Sequence, residues 1–184
     1  AVSGSQALTI APITASRSIG IAGGAGDLSL DASEIGRLTD GFSSITIGDV
    51  AAGAGVVTIN AVTFNDDVTI AGGAITVTGL NAGANDVTLS ASTGNIVDGE
   101  NAGATDITAD DVTLIAEQGT IGEAAGNGAI EIDSATLDTD TADGVSTNGD
   151  QFLAEAGTTT RFSSEAGTGT ITLSAGRFDV GSSQ

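Results

Sequence analysis

A three-residue phrase, an apolar residue, then threonine or serine, then another apolar residue, recurs along the whole chain and constrains its fold more than any other feature. It reads Leu8-Thr9-Ile10, Leu28-Ser29-Leu30, Ile45-Thr46-Ile47, Val57-Thr58-Ile59, Val62-Thr63-Phe64, Val68-Thr69-Ile70, Ile75-Thr76-Val77, Val87-Thr88-Leu89, Val112-Thr113-Leu114 and Ile171-Thr172-Leu173. Alternation with a period of two marks a strand that buries one face and wets the other. A β-branched polar residue suits the wet face of such a strand. Clusters of Gly, Asn, Asp and Ala separate the phrases, and these residues accommodate changes of chain direction.

Counted as one phrase per turn, the starts fall at positions 8, 28, 45, 68, 87 and 112, and apolar starts at 130, 152 and 171 continue the series. The mean interval of roughly 20 residues is a solenoid period, in which each coil buries its inner face only by stacking on its neighbours. The expectation is an all-β chain, a single β-solenoid domain over residues 1–184, with about nine coils of roughly 20 residues and a length near 40 Å at ~4.8 Å per coil. Helical patterns are confined to residues 32–38 and 149–156, too short to stand without tertiary support. The interior must be a narrow bore of Val, Ile, Leu and Ala, because the only aromatic residues are five phenylalanines.

Charge and residue inventory exclude several classes of function. The net charge is −20, with four arginines (Arg17, Arg37, Arg161 and Arg177) and no lysine. Nucleic acid is excluded as a partner, since its phosphates require a basic surface. Anionic membrane surfaces repel such a chain, and no apolar run approaches the 18 or so residues of a membrane span. Without cysteine, neither disulfides nor thiolate metal sites hold the fold. The absence of any methionine suggests a chain processed or excised from a longer one.

Residues 112–137 (VTLIAEQGTIGEAAGNGAIEIDSATL) resemble the repeats of filamentous-haemagglutinin-like bacterial large exoproteins, a strand followed by A-x-x-G-x-I-G, a polar loop and a second strand. A looser version stands at residues 87–96 (VTLSASTGNI), and residues 38–48 (LTDGFSSITIG) and 62–70 (VTFNDDVTI) are similar to repeats of giant bacterial surface proteins. The resemblance covers roughly residues 20–178. It implies a right-handed parallel β-helix and a non-enzymatic rod in an adhesin or filament at the bacterial cell surface or outside the cell. The family's N-terminal secretion domain is not evident in this chain.

Parallel β-helices also carry polysaccharide lyases and hydrolases, so a calcium-dependent polysaccharide-binding or lyase-like protein is the alternative. No His, Lys, Cys or Tyr is present, which removes most general acids, bases and nucleophiles. No residue is therefore nominated as catalytic. The adjacent pairs Asp66-Asp67 and Asp110-Asp111 read as turn residues capping a coil.

No cofactor is required, and the chemistry that remains is calcium, which takes carboxylate and carbonyl oxygens from flexible loops. The densest acidic stretch, residues 138–144 followed by Asn148 and Asp150, offers Asp138, Asp140 and Asp143 as metal ligands. It is not an EF-hand, since Ala142 stands at the fifth position and Gly149 at the twelfth. The competing reading is a solvated excursion between coils. Ice binding requires a long, regular threonine array, and coil lengths that vary from 17 to 25 residues argue against one.

The expected partners are flanking repeats of a longer chain, or further copies of this one stacked head to tail, with a surface glycan or protein as ligand. Residues 1–13 show no amphipathic helix to cover the first coil, which favours such stacking.

Overall fold

The computed structural model describes residues 1–100, 103–142 and 149–175. In chain order its elements are β1 (Leu8–Ile10), β2 (Ile19–Ile21), β3 (Leu28–Leu30), α1 (Ala32–Ile35), β4 (Ile45–Gly48), β5 (Val56–Ile59), β6 (Val62–Thr63), β7 (Val68–Gly72) and β8 (Ala74–Val77). They continue with β9 (Leu80–Asn81), β10 (Val87–Ala91), β11 (Ile96–Asp98), β12 (Ile107–Ala116), β13 (Ile130–Asp140), β14 (Gln151–Glu155), β15 (Arg161–Glu165) and β16 (Ile171–Ala175). Every strand pairing is parallel. The fold is an all-β parallel solenoid of about five turns, with partial coils at either end.

The register explains the strand pattern residue by residue. On the first side, Leu8, Ile45, Val68, Val87, Val112, Leu137 and Phe162 stack in one column, and Ile10, Ile47, Ile70, Leu89, Leu114, Thr139 and Ser164 in the next. The second side stacks Ile19, Val57, Ile75, Ile96, Ile121, Gln151 and Ile171. The third stacks Val62, Leu80, Ile107, Ile132 and Glu155. Most of the Ile, Val and Leu members from Ile19 to Ile132 are essentially inaccessible. The columns turn polar at Thr139, Gln151, Glu155 and Ser164, so the bore is apolar through its middle coils and hydrogen-bonded toward the last ones.

Two features differ from the sequence reading. Stacked residues on the first side, from Ile45 to Phe162, lie 23, 19, 25, 25 and 25 residues apart, so neither a 20-residue period nor nine coils is found. The cause is that one coil carries strands on several sides. Leu28 begins β3, which pairs with β2 on the second side, Ile130 opens the third-side half of β13, and Phe152 and Ile171 lie in β14 and β16, which stack on each other. The β2–β3 pairing is made after only residues 22–27, and glycine permits it, because a Cβ on Gly20 would collide with the Gly24 carbonyl and one on Gly26 with the Gly20 backbone. Residues 151–155, read as part of a candidate helix, are strand β14, since pairing with β13 and β16 outweighs a weak local preference.

The first candidate helix does form, as the single turn α1. Asp31 Oδ1 accepts the Glu34 N–H at 2.8 Å, while Glu34 Oε2 accepts the Asp31 N–H at 2.9 Å, a reciprocal capping box. Ile35 is buried and lines a small apolar cavity with Ile10, Leu30 and Leu38. It packs over the outermost strands β1 and β3, so this end has a cover that the sequence reading lacked.

Irregular coil length does not scramble the outer face, because the backbone ladder sets the register and the extra residues leave at corners. Thr9, Thr46, Thr69, Thr88 and Thr113 stand in one row, continued by Asp138 and Ser163. The next outward row holds Ala71, Ser90, Ile115 and Asp140, so the threonines are single file and form no grid.

Corner residues tie coil to coil. Asp67 Oδ1 accepts the Asp86 N–H at 3.1 Å, Asp86 Oδ1 accepts that of Asp111 at 3.3 Å, and Asn95 Oδ1 accepts that of Thr120 at 2.9 Å. Asp66 Oδ1 accepts the Gly41 N–H at 2.8 Å. The Asp86 carboxyl is pushed above its ordinary value by burial and then by the Asp67 charge. Among the described residues no helix is long and apolar enough to cross a membrane.

Candidate metal centre

The corner between the second and third sides gathers three carboxylates. Asp98 ends β11, Asp106 immediately precedes β12, and Glu131 is the second residue of β13, one coil further along. One carboxylate oxygen of each lies within 4.8 Å of those of the other two. Asp106 is fully buried and Asp98 is 6% exposed.

Backbone amides hold two of these side chains in place. Asp98 Oδ1 accepts the Glu100 N–H at 2.7 Å, and Asp106 Oδ2 accepts the Glu131 N–H at 3.0 Å. The remaining oxygens, Asp98 Oδ2, Asp106 Oδ1 and Glu131 Oε2, are sealed from solvent, and with all three side chains ionised none has a hydrogen-bond partner; a proton on Asp106 is shared with Glu131 and leaves Asp98 Oδ2 unpartnered. Burial, reinforced by the Asp98 charge and by the hydrogen bond a protonated Asp106 makes to the Glu131 carboxylate, pushes the Asp106 carboxyl up to about 8, against the opposing pull of the Glu131 N–H. The Glu131 carboxyl is raised as well, chiefly by burial and then by Asp98 and Glu100. The two ion pairs among the described residues, Arg17–Asp27 at 3.4 Å and Arg161–Asp138 at 2.7 Å, are made elsewhere.

A pH dependence follows for the ion-free protein. Asp106 holds a proton in the folded state that the unfolded chain releases near its ordinary value of 3.8. The stability this contributes is complete below that value and is lost as pH rises through about 8. The chain has no His, Cys, Lys or Tyr, so between pH 5.5 and 8.5 the side chains that bear on stability are the carboxyls raised by burial, Asp106 first, with Glu131 and Asp86 beside it. Thermal melts in EDTA should lose several degrees across this window, about 2–4 °C per kcal/mol for a chain of this size, and Asp106→Asn should flatten the slope. A melting temperature that rises with pH would contradict this account of Asp106.

The residues nominated from sequence stand elsewhere. Asp138 and Asp140 occupy alternate outward positions of β13, where the sequence reading had a loop. Asp138 Oδ2 accepts an Arg161 Nη2–H at 2.7 Å and Asp140 Oδ1 accepts the Ala142 N–H at 2.8 Å. They border a shallow groove with Thr113, Ile115, Ser163 and Glu165. Asp143 lies outside the described residues. The structure thus brings together Asp98, Asp106 and Glu131, none of which the sequence singled out. The signal was the 25-residue step from Val87 to Val112 and on to Leu137, which also superposes Asp106 on Glu131. Compared with known proteins, the chain matches no protein-family model, no curated protein and no solved structure.

Proposed function

We propose that the chain is a non-enzymatic structural rod, a spacer segment of a bacterial surface or secreted adhesin or filament of the filamentous-haemagglutinin type, wound as a right-handed helix. The observation that carries this reading is the stacking of Ile, Val and Leu columns on all three sides of the bore through its middle coils, which makes a stiff element that lengthens by adding coils. Seven strands stacked on the first side span about 30 Å at ~4.8 Å per step. Its partners are then flanking repeats, or copies added head to tail, a contact that does not close and that at the β1 and β3 end requires Ile35 to move aside. A charge of −20 opposes self-association, and salt or calcium relieves it.

Small-angle scattering and light scattering over a wide concentration range test this. The expected result is a particle longer than it is wide, whose mass grows with concentration and more steeply with added salt. A compact particle of one-chain mass under all conditions overturns the stacking form. The competing reading, a calcium-dependent polysaccharide-binding or lyase-like protein, draws on the buried carboxylate cluster. Against it, Arg161 and Arg17 are engaged by Asp138 and Asp27, which leaves neither as a base at the cluster. Turnover of an acidic polysaccharide that disappears in Arg161→Ala would replace the rod by this reading.

A further inference from the structure

We infer that Asp98, Asp106 and Glu131 are a calcium site that clasps two consecutive coils, on a different side of the solenoid from the Asp138–Asp140 groove. The donor set is oxygen only, which selects a hard cation over zinc or copper. Calcium–oxygen bonds measure about 2.3–2.6 Å, so two oxygens on opposite sides of the ion stand about 4.6–5.2 Å apart. One oxygen of each side chain lies within 4.8 Å of those of the other two, and three oxygens so spaced sit no more than about 2.8 Å from a common centre, so a small inward movement of the side chains brings all three to calcium–oxygen bond length.

A second observation, independent of the clustering, points to a ligand. A sealed carboxylate oxygen without a partner is costly, and folded chains rarely tolerate one. Six buried side-chain polar atoms among the described residues have no partner, and three of them are Asp98 Oδ2, Asp106 Oδ1 and Glu131 Oε2. The opposite oxygens of Asp98 and Asp106 are turned to backbone amides, which leaves the orphaned ones for the space between the three side chains. An ion there satisfies all three and neutralises like charges held close together.

Placement gives the site its consequence. Asp98 and Asp106 belong to one coil and Glu131 to the next, so the ion links coils along the axis, in parallel with the strand ladder. Ligands drawn from three backbone segments give an irregular shell, which calcium accepts and magnesium, with its near-ideal octahedron and firmly held waters, does not.

The experiment uses the full chain, stripped with EDTA and exchanged into EDTA-free buffer at constant ionic strength, titrated with calcium chloride by calorimetry and followed by thermal melts. One ion per chain is expected, with magnesium at least tenfold weaker. Calcium at a hundredfold excess over its Kd should raise the melting temperature by about 5–10 °C. Glu131→Gln and Asp106→Asn should each weaken calcium binding tenfold or more, while Asp138→Asn with Asp140→Asn leaves it unchanged. Should Asp106→Asn fail to fold, the part-exposed Glu131→Gln carries the test. Absence of calcium uptake by the wild-type chain at about 10 mM, well above the range of extracellular modules, overturns the site. So does unchanged affinity in Glu131→Gln, or a loss confined to the Asp138/Asp140 variant. Particle shape and mass are read separately, so a failure here does not bear on the rod.

Discussion

Replacing Leu89 by alanine should destabilise the chain by about 3–5 kcal/mol, the range for deleting a buried leucine whose surroundings cannot collapse. Leu89 is wholly inaccessible and is stacked between Ile70 and Leu114 in the second inner column of the first side. Neighbouring coils are held at fixed spacing by the strand ladder, so they cannot close on the void as a mobile helix might. Thr88→Ala, one residue away on the outer face, is the control and should cost less than about 1 kcal/mol. Denaturant melts of the two variants give the difference directly. Because each coil touches only its neighbours, hydrogen exchange should accelerate most in β7, β10 and β12 and little in β1 or β16. A cost below about 1 kcal/mol for Leu89→Ala would mean that the column is not continuous.

Gln151→Leu should be nearly as damaging, although it places an apolar residue of similar size in a fully buried position. Gln151 Oε1 accepts the hydroxyls of Thr139 at 2.6 Å and Ser164 at 2.7 Å, and its Nε2 donates to Thr141 Oγ1 at 3.1 Å and to the Glu165 carbonyl at 2.9 Å. Leucine abandons four partners inside the bore. Thr139 and Ser164 keep a bond to each other at 2.9 Å, and Thr141 keeps one to the Gly149 carbonyl at 2.7 Å, so not every partner is orphaned. At about 1–3 kcal/mol for each group left unsatisfied, a total near 3 kcal/mol is expected. Gln151→Glu tests the same network differently, since a buried carboxylate cannot donate to the Glu165 carbonyl, and its loss should deepen as pH rises. A Gln151→Leu variant as stable as wild type would show that the polar end of the bore is not closed as described.

These positions show how far the sequence carries. The triplets named the buried and exposed residues of the first side almost without error: Ile45, Ile47, Val68, Ile70, Val87, Leu89, Val112 and Leu114 are inside and their intervening threonines outside. A strand period of two is a local property, so it survives in the sequence. Coil length is not local. Triplets on different sides look alike, which made β3, β14 and β16 read as separate turns and shortened the apparent period.

The carboxylates divide along the same line. Acidic density along the chain pointed to Asp138, Asp140 and Asp143, but in a strand Asp138 and Asp140 project outward, and one meets Arg161 from the following coil. Asp98, Asp106 and Glu131 are dispersed in sequence, and the corner between two sides brings them together. The sequence by itself determined that this chain is an all-β stack, which residues fill most of its bore, and that it carries no His, Lys, Cys or Tyr. Only the tertiary structure decided which acids meet, which end is covered by Ile35, and where the bore turns polar, because register between coils depends on loop lengths and close glycine contacts that no local pattern encodes.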